Sequence, residues 1–172
     1  MDLRDNDLTI DGLVHLMKIV KTSDASLRVL DVSFNPIGDD GMSLISSELQ
    51  YNNILTELRV ERCSLSVKGA ICISEVLGKC SLQVLATAGN NIGDDGITAI
   101  AEALSNSQIN ELNVETCGIT LTGAKSLAAL ASIVMVTEES QKDHPTITDA
   151  KYVRPSTFVF LKAALLRHRP PC

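Results

Sequence analysis

Internal repetition is the feature of this sequence that most limits what the chain can fold into. Aligned with itself, the chain places leucines at equivalent positions in steps of 28, 27 and 27 residues, with Met1 standing 29 residues before the first of them. A glycine keeps the same register in every unit. The equivalent positions are Met1, Leu30, Leu58, Leu85 and Leu112, and the glycines are Gly12, Gly41, Gly69, Gly96 and Gly123. A fixed period of this length predicts a repeat architecture, in which each unit is one supersecondary element that stacks on its neighbours.

Each unit changes its hydrophobic period half-way along. Leu30, Asp31 and Val32 alternate apolar and polar side chains, which is typical of a short strand. Further on, Gly41, Ile45 and Leu49 stand four residues apart, which is typical of one face of a helix. One short strand and one short helix cannot bury both apolar faces alone, whereas stacked copies share a continuous core. The pattern therefore predicts an α/β solenoid with strands on one side and helices on the other.

One polar position follows each strand and alternates between two residue types. Its occupants are Asn6, Asn35, Cys63, Asn90 and Cys117. The chain of such a solenoid bends inward here and leaves backbone groups without strand partners. A buried asparagine side chain satisfies several of these groups at once, and cysteine is a smaller, weakly polar substitute. We therefore expect a structural role for these residues.

The whole pattern, LxxLxLxx(N/C)xLxxxGxxxLxxxL, resembles the leucine-rich repeat family across residues 1–131. Units of Asn type (NPIGDDG, NNIGDDG) alternate with units of Cys type (CSLSVKG, CGITLTG), as in the ribonuclease-inhibitor-like subfamily. That subfamily includes ribonuclease inhibitor, the sensor regions of NOD-like receptors and the Ran GTPase-activating protein. The resemblance implies a horseshoe segment with parallel strands on the concave face and helices on the convex face. It also implies an intracellular protein, but it does not specify a partner.

Composition agrees with a core of many slim, equivalent positions. Hydrophobic residues make up 45% of the chain and aromatic residues 3%, with 22 Leu and 14 Ile. This apolar content excludes a disordered chain, and no apolar run of about 18 residues lacks charges, so no membrane span is expected. The five cysteines form no CxxC pair, no N-x-S/T site occurs, and the first residues do not resemble a secretory signal. We expect reduced thiols in the cytoplasm or the nucleus.

The charge is unevenly distributed along the chain. The formal net charge is −6, but residues 1–131 hold 17 acidic and 9 basic side chains, while residues 132–172 hold 4 and 6. An acidic chain is a poor candidate for nucleic-acid binding, because most of that affinity comes from neutralising phosphates.

The repeat pattern stops near residue 131. In a further unit the core positions would fall on Glu139 and Gln141, and an unpaired buried charge is costly. Residues 132–172 are therefore interpreted as a non-repeat tail with a short helix at about 157–168, which follows Ser156 as N-cap. This tail either covers the last repeat as a C-terminal cap or is an unnatural or isoform-specific end that docks weakly or not at all. Because the chain begins in mid-repeat without a polar cap, a fragment of a larger protein is also considered.

The sequence predicts no enzyme, cofactor, metal or small-molecule site. The motif Gly-Asp-Asp-Gly occurs twice but lacks the ligand spacing of a calcium loop. Its aspartates are expected at helix N-termini, where carboxylates accept hydrogen bonds from free N–H groups. These residues are Asp39, Asp40, Asp94 and Asp95. No phosphate-binding loop and no nucleophile with a base at motif spacing is present.

The candidate binding residues are those that alternate with the core aliphatics of each strand, because they should point away from the core. With the strand-end neighbours Phe34 and Arg62 at the rim, the predicted protein-binding set is Asp31, Ser33, Phe34, Glu57, Arg59, Glu61, Arg62, Ala86, Ala88, Glu111, Asn113 and Glu115. This set is net acidic, which favours a basic protein partner.

The sequence thus predicts a non-enzymatic protein-interaction module that binds through an acidic concave face. Two alternatives stay open from the resemblance. One is a GTPase-activating protein of the Ran-regulator type, although the expected acidic tail is missing here. The other is a sensor fragment of a NOD-like receptor.

Overall fold

A computed structural model describes residues 1–21 and 26–129, which form five stacked units. Each complete unit contributes one three-residue strand and one helix of 9 to 12 residues. In chain order the elements are α1 (Ile10–Lys21), β1 (Val29–Asp31), α2 (Gly38–Leu49), β2 (Glu57–Arg59), α3 (Val67–Leu77), β3 (Val84–Ala86), α4 (Gly93–Leu104), β4 (Glu111–Asn113) and α5 (Leu121–Ala129). The predicted tail helix at 157–168 and the predicted cap lie outside the described residues.

The strands form one parallel sheet in the order β1-β2-β3-β4. Leu30, Leu58, Leu85 and Leu112 pair in register, as the sequence alignment predicts. The first unit continues the sheet through a parallel bridge between Asp2 and Asp31. Each helix packs on the helix of the next unit. The α/β solenoid with parallel strands on the concave face and helices on the convex face is therefore confirmed.

The core consists of one aliphatic layer between the strands and the helices. The four paired leucines are at most 1% exposed, and two to four buried apolar residues of each helix complete the layer. Because each position is reused from unit to unit, the core has no place that requires an aromatic ring. The described part of the chain has two aromatic residues, Phe34 and Tyr51, and both lie outside the core.

The chain turns at the end of each strand through a residue with positive φ. The five equivalent residues are Asp5, Phe34, Arg62, Gly89 and Thr116, with φ between 48° and 71°. Four of them carry side chains that rarely adopt this left-handed conformation, so the stacked neighbours must hold it. The side chain of the next residue supplies much of that support.

Asn35 and Asn90 tie each bend to the preceding unit. The Oδ1 of Asn90 accepts hydrogen bonds from the backbone N–H of Cys63 and Leu65, at 2.9 and 3.0 Å. Its Nδ2 donates to the carbonyls of Val60 and Thr87 at 2.7 Å. Asn35 repeats the arrangement toward the first unit. The expected structural role of the asparagine position is confirmed.

Cys63 and Cys117 occupy the same position in the alternate units and make fewer bonds. The thiol of Cys63 donates to the carbonyl of Val32 at 3.4 Å, and that of Cys117 donates to the carbonyl of Thr87 at 3.2 Å. Both acceptors belong to the preceding unit. Burial raises the pKa of the Cys63 thiol to about 11, and it also raises the pKa of Cys117.

The Gly-Asp-Asp-Gly aspartates lie in the first turns of α2 and α4, as predicted, but Asp39 and Asp94 cap the helix of the next unit instead of their own. The helix α2 has no side-chain N-cap bond, and its Gly38 N–H donates instead to the Cys63 carbonyl. Asp39 caps the next helix, α3: its Oδ1 accepts from the N–H groups of Ser66 and Gly69. Asp94 does the same for α5 through Thr120 and Gly123. Each aspartate therefore joins an Asn-type unit to the Cys-type unit that follows.

No helix in residues 1–21 and 26–129 is long and apolar enough to cross a membrane.

Candidate protein-interaction surface

Twelve residues of the four strands and their C-terminal extensions form three rows across the concave face. The backbone pairing sets each row, because equivalent residues of parallel strands lie side by side. The first row is Val29, Glu57, Val84 and Glu111, the second is Asp31, Arg59, Ala86 and Asn113, and the third is Ser33, Glu61, Ala88 and Glu115. Acidic residues of β2 and β4 thus stand on either side of small residues of β3.

We call this arrangement the central groove. Its floor is Val84, Ala86 and Ala88, and its walls are Glu57 and Glu61 on one side and Glu111 and Glu115 on the other. Neighbouring strands lie about 4.8 Å apart, so the two walls are roughly 10 Å apart. Along each wall the two glutamates are four residues apart, or about 13 Å.

A hydrogen bond across the groove fixes one wall to the other. The Nδ2 of Asn113 donates to Oε1 of Glu61 at 3.0 Å, from β4 to the end of β2. The bond passes over β3 at the level of its alanines, which are short enough to lie beneath it. It divides the groove into two halves, one over Val84 between Glu57 and Glu111, the other over Ala88 between Glu61 and Glu115.

Arg59 is the basic residue of the middle row beside the groove, and it is held by Glu57. The Nε of Arg59 donates to Oε1 of Glu57, and this bond raises the pKa of the guanidinium above its ordinary value. Asp31 and Glu61 raise it further through their charges. Arg59 thus stands among three carboxylates, Glu57, Asp31 and Glu61, and its single positive charge leaves the face net acidic.

Four predicted contact residues are less accessible than the sequence indicates. All four are buried: Ser33, Ala86, Asp31 at 7% exposure and Asn113 at 8%. The hydroxyl of Ser33 accepts the Glu61 N–H, and Oδ1 of Asp31 accepts the Ser33 N–H. Short side chains on this closely spaced sheet bond to their neighbours instead of pointing to solvent. The prediction of exposed side chains is therefore wrong for Asp31, Ser33, Ala86 and Asn113.

Phe34 and Arg62 stack on each other at the rim of the face. The guanidinium carbon of Arg62 lies 5.7 Å from the centre of the Phe34 ring, within the range of a cation–π contact. Phe34 remains 45% exposed, so it does not pack into the neighbouring loop. Gly89 is necessary beside the pair, because a Cβ there would lie 2.6 Å from Cγ of Arg62.

A second concave feature lies at the first unit, and of its lining residues the predicted set contains Phe34 alone. Asp2, Arg4, Asp5, Asn6 and Phe34 line an open depression of about 560 Å³. Arg4 is paired with Asp2 at 2.8 Å and with Asp31 at 3.4 Å. The repeat register could have identified this feature, because Asp2 and Arg4 are equivalent to Asp31 and Ser33.

Comparison with known proteins agrees with this architecture. A family model for "Leucine Rich repeat" matches residues 23–46, 78–101 and 105–128. NACHT, LRR and PYD domains-containing protein 5 of Homo sapiens is 34% identical over 122 residues, and ribonuclease inhibitor of Mus musculus is 31% identical over 107 residues. The chain carries leucine-rich repeats of the ribonuclease-inhibitor-like type.

The region aligned with this chain accounts for only part of each relative. The aligned region covers 69% of this chain but 10% of the human NACHT, LRR and PYD protein, and 60% of this chain but 24% of the mouse inhibitor. The chain therefore spans less than a quarter of the length of either relative.

Solved leucine-rich repeat structures share the fold at low sequence identity. Actin-binding site 2 of leiomodin-1 has a TM-score of 0.63 at 20% identity, covering 69% of this chain and 71% of that one. The tropomodulin C-terminal domain of Caenorhabditis elegans has the same TM-score at 11% identity, covering 92% and 97%. Together, the repeats and the relatives indicate a protein-interaction module.

In the part of the chain that the structure describes, no group of three or more His, Cys, Asp or Glu side chains could hold a metal ion.

Proposed function

We propose that this chain binds a protein partner through its acidic concave face, with the central groove as the main contact. The observation that carries the proposal is the pairing of glutamates across β3: Glu57 faces Glu111 over Val84, and Glu61 faces Glu115 over Ala88. Each half of the groove thus offers a small apolar floor between two carboxyl groups. This chemistry suits an apolar side chain flanked by basic residues.

A basic partner is favoured by the balance of charge on the face. Five acidic residues, Asp31, Glu57, Glu61, Glu111 and Glu115, accompany the two arginines Arg59 and Arg62. Opposite charge raises the rate of encounter and discourages partners of the wrong sign. The affinity of such a complex should fall as salt increases, because the Debye length shortens to about 8 Å at physiological ionic strength.

The stacked pair Phe34 and Arg62 is the proposed anchor at the rim. Aromatic and arginine side chains are over-represented among the residues that dominate binding energy. Both side chains are exposed, and their mutual contact reduces the freedom that either would lose on binding. A partner that spans from the groove to this rim would contact β1, β2, β3 and β4.

Charge reversal tests the proposal with a matched control. The double variant Glu57→Lys/Glu111→Lys changes the walls of the groove, while Glu75→Lys/Glu102→Lys makes the same change of charge at exposed positions of α3 and α4 on the convex face. Quantitative affinity capture from cell extract should lose a set of proteins with the groove variant and keep it with the control. Equal capture by both variants and the unmodified chain would contradict the proposal.

A sensor role within a larger receptor is the second candidate. It is favoured by the relatives that carry NACHT and PYD domains together with these repeats. The test is expression of the chain joined to such domains, with ligand-dependent assembly as the readout. The alternative of a GTPase-activating protein stays a prediction from the resemblance, and stimulation of GTP hydrolysis by small GTPases is its assay.

A reducing compartment, the cytoplasm or the nucleus, is the proposed location. Cys63, Cys72, Cys80 and Cys117 are free thiols, and three of them are buried in the repeat core.

A further inference from the structure

The net negative charge of the last three units lies on the concave face. On the convex side, the exposed charged residues of α3, α4 and α5 and of the turn after α3 balance each other, with three acidic and three basic side chains. They are Lys68, Glu75, Lys79, Asp95, Glu102 and Lys125. The walls of the central groove carry four glutamates in the same units, and the basic residues beside them are Arg59 and Arg62. A basic ligand is therefore attracted to the groove more strongly than to the helices.

The groove walls can accept further hydrogen bonds. The bond from Arg59 uses Oε1 of Glu57, and the bond from Asn113 uses Oε1 of Glu61. A carboxylate has about four acceptor positions on its two oxygens, so one such bond does not saturate it. The wall glutamates and the floor residues Val84 and Ala88 are also partly exposed. The groove is therefore accessible to both basic and apolar side chains.

Residues 151–172, which we call the basic segment, lie outside the described residues and have the complementary charge. They contain no acidic side chain and five basic ones, namely Lys151, Arg154, Lys162, Arg167 and Arg169. The apolar run 158–161 (FVFL) stands between Arg154 and Lys162, and the run 163–166 (AALL) stands between Lys162 and Arg167. This order of basic, apolar and basic residues occurs twice. It matches the two halves of the groove, in which a small apolar floor lies between two carboxyl groups.

The basic segment is near enough along the chain to reach the groove of its own molecule. Helix α5 ends at Ala129, and 22 residues lead from there to Lys151. A chain of this length spans at most roughly 70–80 Å. The groove begins at β4 of the same unit, one helix-to-sheet layer away, which is on the order of 10 Å. Attachment also gives the segment an effective concentration of about millimolar, so that even a weak contact is populated.

We propose that the basic segment occupies the central groove of its own chain and thereby competes with the protein partner. Its basic side chains contact the glutamates of the walls, and its apolar residues lie over Val84 and Ala88. Only chains with an open groove can then bind, so the apparent affinity falls by the fraction of chains in that state. The competition rests on the proposed function, whereas the contact of the segment with the groove does not.

Zero-length cross-linking of the full chain tests the contact. A carbodiimide joins a lysine Nζ to a carboxyl group that touches it through an amide bond, and the water lost from these two groups converts the carbodiimide to a urea. We expect Lys151 and Lys162 to be joined to the groove glutamates Glu57, Glu61, Glu111 and Glu115. The yield should fall several-fold in about 1 M salt, where the Debye length is about 3 Å. The exposed pair Lys68 and Asp40, 3.5 Å apart, is the internal reference.

Matched variants and isotope labelling make the result specific. Glu57→Lys/Glu111→Lys should reduce the yield several-fold, and Glu75→Lys/Glu102→Lys on the convex helices should leave it unchanged. In a mixture of ¹⁵N-labelled and unlabelled chains, the cross-links should join residues of one chain. Cross-links that join two chains would overturn the proposal in favour of a second copy as occupant. Cross-links to the convex glutamates alone, or none from Lys151 and Lys162 while the reference pair reacts, would also overturn it.

Capture from cell extract tests the competition. The variant Lys151→Glu/Lys162→Glu/Arg167→Glu should capture about threefold more of the proteins that the groove variant loses, as expected if the groove is open in about a third of the chains. The control Lys18→Glu/Lys79→Glu/Lys125→Glu makes the same change of charge at exposed positions and should not.

The two measurements separate this proposal from the proposed function. Cross-links to the groove without the increase in capture would overturn the competition. Missing cross-links together with capture that depends on the groove glutamates would overturn the contact and leave the proposed function standing. Cross-links together with capture that does not depend on those glutamates would contradict the proposed function and leave the contact standing.

Discussion

Asp39 reaches helix α3 of the following unit through a space that Gly69 leaves open. The carboxylate oxygen Oδ1 accepts the Gly69 N–H at 2.9 Å, and a Cβ at Gly69 would lie 2.6 Å from that same oxygen. At Gly69 the missing side chain is thus required by a residue of the neighbouring unit. Asp94 and Gly123 have the same relationship, with the same distance of 2.6 Å. The contact between each Asn-type unit and the Cys-type unit that follows it therefore depends on one carboxylate oxygen, Oδ1 of Asp39 or of Asp94.

Gly69→Ala should destabilise the chain because the new Cβ displaces the Asp39 carboxylate. We expect a loss of about 1–2 kcal/mol in the free energy of unfolding, even though alanine favours helix. In the Asp39→Ala background the same change should cost much less, with a coupling of at least ~1 kcal/mol in the double-mutant cycle. Chemical denaturation gives the free energy of unfolding of the unmodified chain, the two single variants and the double variant. Additive changes in this free energy would show that the two residues do not depend on each other.

The Asp39 and Asp94 caps predict a specific loss of stability in acid. Partial burial alone would raise the pKa of each carboxyl, but hydrogen bonds from Ser66 and Gly69, or from Thr120 and Gly123, lower it below its ordinary value. Because the pKa is lower in the folded chain, the stabilisation is present above the unfolded pKa of about 3.9 and is lost as the pH falls through the folded value.

Denaturation of Asp39→Asn/Asp94→Asn at several pH values checks this effect. The unmodified chain should be more stable than the variant above about pH 5, and the difference should shrink below about pH 4. Asp40→Asn is the control, because Asp40 is exposed and meets Lys68 at 3.5 Å. A difference that does not vary with pH would contradict the role of the charged caps.

Asn90→Ala should be one of the most damaging single substitutions in the chain. It leaves the buried N–H groups of Cys63 and Leu65 without their acceptor, and the Val60 carbonyl without its donor. Unsatisfied buried groups cost about 1–3 kcal/mol each, so a loss of roughly 3 kcal/mol or more is expected. The exposed Asn91→Ala is the matched control, and similar melting temperatures for the two variants would contradict this role.

Thiol reactivity should separate the cysteines by their place in the repeats. Cys63 and Cys117 are buried, and burial raises their pKa values, so little thiolate is present at pH 8. Cys72 is partly exposed on α3. Iodoacetamide should therefore modify Cys72 in the native chain and reach Cys63 and Cys117 after unfolding. Mass spectrometry of peptides measures the rate at which each cysteine is modified. Equal rates for Cys72, Cys63 and Cys117 in the native chain would contradict the prediction.

The fold could be predicted from the sequence because its dominant forces repeat with the period. Leu30 and Leu58 each fill the same core position, so the alignment of the sequence is also the register of the sheet. The structural role of Asn35 and Asn90 at the bend after each strand could be predicted for the same reason, since both occupy one repeated position. Hydrogen bonds between units were harder to predict, because a pattern within one unit does not show that Asp39 serves the helix of the next.

The candidate face was predictable in its position but less so in its accessibility. Alternation correctly placed Glu57, Glu61, Glu111 and Glu115 in rows on the sheet. It could not show that Ser33 would be covered, since burial there depends on how neighbouring side chains fold over a closely spaced sheet.

Covalent labelling of carboxyl groups tests the binding account most directly. The chain would be treated with a carbodiimide and an amine, alone and in complex with a captured partner, and the modification of each glutamate measured by mass spectrometry. The account predicts that labelling of Glu57, Glu111 and Glu115 falls several-fold in the complex, while that of Glu75 and Glu102 on the convex helices is unchanged. Protection of the convex glutamates with unchanged labelling of the groove walls would contradict it.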